Sequence, residues 1–120
     1  MRGLLFALCV VLSSVSYGVT IRLGVAEPVR APMCMDKAVA IQIAQADVDT
    51  GIDAAAKIFN DSADCDYVSL VVKPLRVVYT GTTPRKTVVR VIEVEIQISD
   101  FKRNFWMLAE DVEIVGLQKT

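Results

Sequence analysis

The stretch TVVRVIEVEIQI, residues 87–98, has the strongest strand character in the chain and decides the fold class. In its second half an aliphatic face alternates with a polar face, Ile92, Val94, Ile96 and Ile98 against Glu93, Glu95 and Gln97. Upstream the alternation changes phase, because Val89 and Val91 lie on the face that later carries the glutamates. A change of buried face within one strand is typical of a bulge or a strong bend. We therefore predict a strand that can serve two sheets of a small barrel.

Weaker strand patterns flank this stretch on both sides. Upstream, residues 67–79 alternate and are rich in β-branched side chains, and Pro74 predicts a bend or a sheet edge there. A turn at residues 80–84 leads from this pattern into the central strand. The downstream elements are a polar turn at 99–104, a short strand at 105–108, a tight turn at 109–111 and a final strand at 112–117. The strands that follow the helical region are expected to be antiparallel.

A helical region precedes these strands. It begins near Asp36, a favourable N-cap residue, and ends before Asn60. Apolar residues recur in it at steps of three and four, namely Ile41, Ala44, Val48, Ile52, Ala55 and Phe59. Thr50 and Gly51 interrupt the region, and the pattern leaves open whether residues 36–60 form one helix with a weak point or two short helices.

The N-terminus, residues 1–18, has the three zones of a secretory signal peptide. Arg2 gives a positive start, residues 4–12 form an unbroken apolar run, and Ser16 and Gly18 have the spacing that signal peptidase requires. The run is shorter than the roughly 20 residues that span a bilayer, so we expect cleavage after Gly18 and no stable membrane span afterwards. Residues 19–120 are then expected to form a single domain in the periplasm or outside the cell.

Two cysteines, Cys34 and Cys65, follow the predicted cleavage site. In an exported chain such a pair predicts a disulfide. Closing a loop of about thirty residues stabilises a domain by roughly 3–4 kcal/mol through loop entropy, which is a large contribution to a small core. A reactive thiol or a zinc site is the alternative. The chain has no histidine to activate a thiolate or to complete a zinc site.

The absence of histidine also excludes the commonest general base and the Ser-His and Cys-His nucleophile pairs. A carboxylate pair is the remaining serious enzymatic option, and its candidates are Asp47, Asp49, Asp53, Asp61, Asp64 and Asp66. The simpler interpretation is a solvated helix face with acidic loops. A calcium loop starting at Asp47 fits poorly, because Gly51 is at the fifth place and Ile58 occupies the place of the bidentate glutamate. We therefore predict no metal and no cofactor.

Charge is unevenly distributed, although the formal net charge is only -1. Residues 36–66 are acidic, whereas residues 73–103 are basic. This predicts either internal complementarity, with the helical region lying over a sheet of opposite sign, or two faces for different partners. Binding to nucleic acid requires a net basic domain with aromatic stacking platforms, so no nucleic acid partner is expected.

Three segments of the C-terminal half resemble the small barrels of bacterial SH3-like domains. They are Val77-Val78-Tyr79, Val88-Val89-Arg90-Val91-Ile92 and Phe105-Trp106-Met107-Leu108-Ala109-Glu110-Asp111-Val112. A tryptophan followed by a short acidic turn and valine is typical of the end of such barrels, although Arg103-Asn104 stands where these modules often carry glycines. The resemblance covers under half of the mature chain. It implies a binding module of the cell envelope without indicating a particular ligand.

The predicted fold class is α+β, with an N-terminal helical segment packed on a bent antiparallel sheet or small SH3-like barrel and one disulfide. A short strand at residues 19–25 and a connector interrupted by Pro28 and Pro32 precede the helical segment.

Two groups of residues are predicted to contact a partner. An aromatic–basic patch at the end of the sheet comprises Tyr79, Phe101, Arg103, Phe105 and Trp106, and aromatic and arginine residues are the usual anchors of binding surfaces. Because Phe105 and Trp106 are adjacent in a strand, at least one of them is expected to be buried. The turn at residues 80–86 contributes Arg85 and Lys86.

These features predict a non-enzymatic binding protein of the cell envelope, whose partner is a protein or an envelope polymer. Two alternatives remain at this point. One is an inhibitor of a secreted hydrolase that uses a protruding loop at residues 80–86. The other is a small carboxylate-dependent hydrolase, which requires two acids about 5–10 Å apart in a cleft.

Overall fold

The computed structural model describes residues 20–116 of the chain. In chain order its elements are β1 (Thr20–Arg22), β2 (Glu27–Cys34), α1 (Lys37–Asp49), α2 (Ile52–Asp61), β3 (Cys65–Thr82), β4 (Val88–Ile98), β5 (Phe101–Glu110) and β6 (Glu113–Val115). The predicted α+β fold class is confirmed. The predicted signal peptide at residues 1–18 lies outside the described residues. Within the described part, no helix combines the length and the apolar character needed to cross a bilayer.

Strands β2, β3, β4 and β5 close into an antiparallel barrel. The ladder between β4 and β5 is regular from Val89 opposite Glu110 to Ile98 opposite Phe101. The ladder between β3 and β4 shifts register twice, once just after Pro74 and once before Tyr79. The irregularity expected in the central strand thus lies in its pairing with β3, and one of the two shifts follows Pro74, where a bend or a sheet edge was predicted.

The change of face within β4 reflects two hydrophobic cores. The barrel core contains no helical residue and consists of Ile21, Ala31, Met33, Val72, Ile92, Val94, Ile96, Met107, Ala109 and Val112. The helix-side core lies between the helices and the barrel and consists of Cys34, Ala40, Ile43, Ala44, Ala55, Val89, Val91 and Leu108. One half of β4 thus buries one face against the helices, and the other half buries the opposite face inside the barrel.

The helical region consists of two helices, which answers the question that the pattern leaves open. α1 ends at Asp49, and Gly51, with a positive φ of 135°, separates it from α2. Asp36 is the N-cap of α1, because its carboxylate accepts a hydrogen bond of 2.8 Å from the Ala38 N–H. The fully buried positions of α1 are Ala40, Ile43, Ala44 and Asp47, so the buried stripe is displaced from the predicted one.

The predicted disulfide between Cys34 and Cys65 is confirmed. The two cysteines are opposite each other at the end of the β2–β3 ladder, and both helices lie in the connection between these strands. The disulfide therefore closes the base of the helical layer. Cys34 is completely buried and belongs to the helix-side core.

The connector predicted around Pro28 and Pro32 is in fact strand β2, so this expectation is wrong. β2 pairs with β3 along its whole length but meets β5 only at Met33 and Cys34. Before Met33 it has only one pairing neighbour among the described residues. Pro28 and Pro32 are four residues apart, so their backbone nitrogens face the same side of β2. A missing N–H is tolerated on the unpaired side of an edge strand.

Two further details of the strands differ from prediction. The polar turn predicted at residues 99–104 is wrong in length, because Ser99 and Asp100 alone form the turn and the following residues begin β5. Ser99 has a left-handed φ of 56°, which permits so tight a hairpin. The final strand β6 lies outside the barrel and pairs with β1 in parallel, with Ile21 opposite Ile114.

Candidate functional site

The β4–β5 hairpin continues beyond the barrel as a two-stranded extension, which we call the arm and define as residues 97–103. β3 pairs with β4 only as far as Glu95, and β2 meets β5 only at Trp106 and Met107. Among the described residues, those of the arm therefore pair only within the β4–β5 hairpin, Gln97 with Lys102, Ile98 with Phe101, and Arg103 with Ile96 at the base. All residues of the arm are exposed. Both edges of the arm consequently present unpaired backbone groups to solvent.

The arm carries an apolar pair next to basic side chains. Ile98 and Phe101 are directly opposite each other at its tip and are 58% and 56% exposed. Lys102 and Arg103 follow in the sequence and are exposed as well. The Arg103 guanidinium lies over the ring of Phe105, 5.7 Å from its centroid, in a cation–π contact. Phe105 itself packs against the barrel core at the base of the arm.

The other two aromatic residues of the predicted patch lie on the helix side of the sheet. Trp106 and Tyr79 are partly buried against the helix-side core. The indole Nε1 of Trp106 is buried and makes no hydrogen bond within residues 20–116. The ring of Tyr79 lies close over Gly81, where an added Cβ would approach the Tyr79 hydroxyl to 2.8 Å. The structure thus brings Phe101, Arg103 and Phe105 together and separates Trp106 and Tyr79 from them.

The turn between β3 and β4 carries the two remaining predicted residues, Arg85 and Lys86. It is held by backbone hydrogen bonds of 2.9 Å from the Thr83 N–H to the Thr87 carbonyl and from the Lys86 N–H to the Thr83 carbonyl. Arg85 contacts α1, since its Nη2 donates a hydrogen bond of 2.9 Å to Asp47. Lys86 is exposed. The turn is therefore well ordered by hydrogen bonds, but its arginine is bound to the domain.

A second candidate site is a cleft between the helices and the outer face of β4 and β5. It has a volume of about 70 Å³. Its lining is mainly apolar and includes Ile43, Ala44, Ile52, Ala55, Phe59, Val89 and Leu108. Asp47 and Glu110 also line it, but almost all of the surface that it exposes is apolar. Several of the helix residues that line it are alanines, namely Ala44, Ala55 and Ala56.

Two carboxylates of residues that line the cleft share one arginine. Asp47 and Glu110 are 5% and 7% exposed, respectively. The Nη2 atom of Arg85 lies 2.9 Å from Asp47 Oδ1 and 3.6 Å from Glu110 Oε2. Burial raises the pKa of Asp47, and the charge and hydrogen bond of Arg85 offset this effect only in part. The guanidinium of Arg90, which also lines the cleft, donates to the Val112 carbonyl at 2.7 Å.

The remaining acids considered for catalysis do not enter the cleft. Asp49, Asp53, Asp61, Asp64 and Asp66 are all exposed. In the described part of the chain, no three His, Cys, Asp or Glu side chains converge on a possible metal site. Among the described residues, the acids that line the cleft are Asp47 and Glu110.

Sequence reasoning missed the pairing of Asp47 with Glu110. A signal for Asp47 was present, because it continues the spacing of Ala40, Ile43 and Ala44 at steps of three and four. A carboxylate in such a stripe must be paired or partly neutralised. For Glu110 no comparable signal exists, since its neighbours were assigned to a turn and its partner Arg85 is distant in sequence.

No protein-family model, curated protein or solved structure matches this chain. Its function is therefore inferred from the geometry of the arm and the cleft.

Proposed function

We propose that the chain is an exported, non-enzymatic binding protein of the cell envelope that contacts a partner protein through the arm. The observation that carries this proposal is the exposed pair Ile98 and Phe101 at the end of a hairpin whose edges are unpaired within residues 20–116. Open strand edges with apolar side chains promote association with other chains unless a partner covers them. An arm of this kind is suited to binding another protein chain.

A protein is favoured over an envelope polymer as the partner. An extended peptide can continue the ladder at either edge of the arm, because its amide groups have the same spacing as those of a strand. Polysaccharides lack that regular series of donors and acceptors. The exposed Lys102 and Arg103 favour an acidic segment in the partner.

Export is supported by the three-zone pattern at residues 1–18 and is compatible with the disulfide. The resemblance of the C-terminal half to SH3-like barrels supports the same type of function, because such barrels commonly serve as binding modules. Placement in the periplasm or in the extracellular medium is part of this proposal.

The two alternatives have less support from the geometry. A protruding inhibitory loop requires a free tip, whereas Arg85 is bound to α1. A carboxylate-dependent hydrolase requires access between its two acids, and the guanidinium of Arg85 contacts both Asp47 and Glu110. A binding function of the arm needs no rearrangement of either feature.

The test replaces the apolar pair of the arm, using Ile98→Ser together with Phe101→Ser. The matched control is Val71→Ser, because Val71 on β3 is also apolar and 58% exposed but lies outside the arm. We expect the double variant to reduce recovery of a partner protein from envelope extract by about tenfold or more, as truncation of a binding anchor does, while the control retains it. Equal recovery by wild type and double variant, with circular dichroism showing both folded, would refute the assignment of the arm.

A further inference from the structure

The barrel has two open strand edges, and they differ in what they offer to another strand. The first is the part of β2 before Met33, which has a single pairing neighbour within residues 20–116. Pro28 and Pro32 lie on this part and carry no backbone N–H. Proline on an edge strand hinders the addition of a further strand. The open edge of β2 is therefore protected.

The second open edge is the side of β5 that faces away from β4, which we call the β5 edge and define as residues 101–104. β2 meets β5 only at Trp106 and Met107, so no strand of the described chain lies beside the β5 edge. It contains no proline. The opposite side of the hairpin is less accessible, because β3 pairs with β4 as far as Glu95 and the next residue, Ile96, is buried. The β5 edge is therefore the longer exposed ladder.

The side chains of the β5 edge alternate between the two faces of the hairpin. Phe101 and Arg103 share one face, and Lys102 and Asn104 share the other. Lys102 and Arg103 are exposed, and neither forms an ion pair within residues 20–116. Asp100, the acid of the arm, lies in the adjoining turn and is not paired with either of them. An added strand thus meets one cation on each face and an exposed phenylalanine beside them.

A second copy of the chain is a poor occupant of this edge. Lys102 and Arg103 are adjacent at its centre. If two copies paired through their β5 edges, these cations would lie beside the same cations of the other copy. Like charges on paired strands are destabilising. Charge complementarity therefore favours a strand that carries acidic residues.

We propose that the β5 edge binds an extended acidic segment of the partner protein as an additional antiparallel strand. Two consecutive acidic residues of the segment lie beside Lys102 and Arg103, one on each face, and an apolar residue lies beside Phe101. Backbone hydrogen bonds provide affinity in this mode of recognition, and the side chains provide specificity. Antiparallel pairing is slightly more stable per residue than parallel pairing. The inference rests on the function proposed for the arm and names the chemistry of its partner.

The first test compares three synthetic peptides, blocked at both ends, by NMR titration of the isotope-labelled protein at neutral pH. The acidic peptide is Thr-Thr-Glu-Glu-Val-Thr, the rearranged peptide Glu-Thr-Val-Thr-Thr-Glu has the same composition, and the basic peptide has lysines in place of the glutamates of the first. We expect the acidic peptide to shift the amide resonances of Lys102, Arg103 and Asn104. It should bind about fivefold more tightly than the rearranged peptide, which loses two cross-strand ion pairs, and the basic peptide should bind most weakly. Absence of these shifts, or equal affinity for the acidic and rearranged peptides, would overturn the proposal.

The second test reverses the charge of the edge with Lys102→Glu together with Arg103→Glu. We expect this variant to lose about tenfold or more in affinity for the acidic peptide, because attraction is replaced by repulsion at both positions, and to bind the basic peptide instead. Such a gain of affinity cannot result from unfolding. The matched control is Lys37→Glu together with Lys86→Glu, two exposed lysines outside the arm. A reversed variant that still preferred the acidic peptide would contradict the assigned role of the two cations.

A third test addresses the backbone ladder directly. Two versions of the acidic peptide carry an N-methyl group, one at the first glutamate and the other at the second. Successive residues of a strand direct their N–H groups to opposite sides, so only one of the two amides faces β5. We expect one version to lose about tenfold or more in affinity, through loss of a hydrogen bond and a clash with β5, while the other retains it. Equal affinities of the two versions would refute strand addition.

This inference and the function proposed for the arm can fail separately. If Ile98→Ser together with Phe101→Ser abolished partner recovery but no peptide bound, the arm would remain the contact surface and strand addition would be wrong. Sedimentation analysis gives the other outcome. If the wild type formed dimers that the same double variant abolished, a second copy would occupy the arm, and the acidic segment would be wrong.

Discussion

The two hairpins that share β4 are opposites in chemistry and in attachment. The turn between β3 and β4 carries cationic residues, and one of them, Arg85, is bound to a buried acid of α1. The turn between β4 and β5 is flanked by Ile98 and Phe101, which are more than half exposed. Polar residues are thus held against the domain at one end of the strand, and apolar residues face water at the other. The polar or apolar character of a hairpin therefore does not by itself predict whether that hairpin is free of contacts with the rest of the domain.

The difference follows from what lies beside each hairpin. The helices cover the β3–β4 end of β4, where Val89 and Val91 belong to the helix-side core. Their Asp47 is buried there, and a buried carboxylate attracts the nearest available cation. No helix contributes to the barrel core, where Ile92, Val94 and Ile96 lie on the way to the arm. The arm therefore remains the exposed end, which is the basis of the function proposed for it.

The largest expected loss of stability follows from removing the disulfide. It also distinguishes the two ends of β4, because only one of them is covered by the helices. Replacement of both Cys34 and Cys65 by alanine should lower the free energy of unfolding by about 3–4 kcal/mol, the loop-entropy value for this closure. Because the bond closes the base of the helical layer, amide hydrogen exchange should accelerate most in α1 and α2.

The wild-type protein under reducing conditions is the control for this prediction and should match the double variant. The arm should change little in its exchange rates, since it does not depend on the helices for its pairing. Lys73 and Glu95 pair at the end of the β3–β4 ladder nearer the arm. If amide exchange accelerated as much at this pair as in the helices, the separation of the two ends would be contradicted.

A smaller loss of stability is expected for Arg85→Ala, which removes the ion pair between the β3–β4 turn and Asp47 of α1. The variant leaves Asp47 and Glu110 buried without their shared partner, and it should lower the free energy of unfolding by roughly 1–3 kcal/mol, as loss of hydrogen bonds to charged groups does. The estimate stays below that for a fully buried pair because the Arg85 side chain is 45% exposed. Denaturation with urea measures the change.

Two further alanine variants test exposed cations at the two ends of β4. Lys86→Ala changes the adjacent exposed cation of the same turn, and Arg103→Ala changes an exposed cation of the arm. Both should stay within about 0.5 kcal/mol of the wild type, which is the usual range for surface substitutions. If Arg103→Ala proved as costly as Arg85→Ala, the arm would be attached to the domain as firmly as the other turn.

Much of this architecture was predictable from local patterns in the sequence. The phase change between Val91 and Ile92 indicated a strand with two buried faces, because alternation shows directly which side of a strand is apolar. The cysteine pair indicated the disulfide for a similarly local reason, since the predicted cleavage would leave only one possible pairing. The two faces of β4 and the disulfide are the features on which the layered arrangement depends.

Features that depend on contacts distant in sequence were not predictable. β2 was mistaken for a connector, because its prolines are tolerated only through the absence of a second neighbour before Met33. The division of the aromatic–basic patch depends on which strands extend past their partners, and that is a property of register. Arg85 and Asp47 are far apart in the chain, so their ion pair could be recognised only in the folded structure.

The smallest expected effect concerns pH and tests how strongly Asp47 is bound at its end of β4. Its pKa is raised in the folded protein by burial, so the folded state holds this proton more tightly than the unfolded chain does. The contribution of Asp47 to stability is therefore most favourable at acid pH, and it declines as pH rises from the ordinary aspartate value to the raised one. Measured against Asp47→Asn, the wild type should lose relative stability across this window and show a constant difference above it.

Urea denaturation of both proteins through the acid range gives this difference, and Asp49→Asn controls for the loss of one negative charge from α1, because Asp49 is exposed on the same helix. A difference that instead grew in favour of the wild type with rising pH would mean that Arg85 outweighs burial at Asp47. The comparison of the two hairpins would survive that result, since a stronger ion pair would attach the β3–β4 turn to α1 even more firmly and leave the arm as the free end.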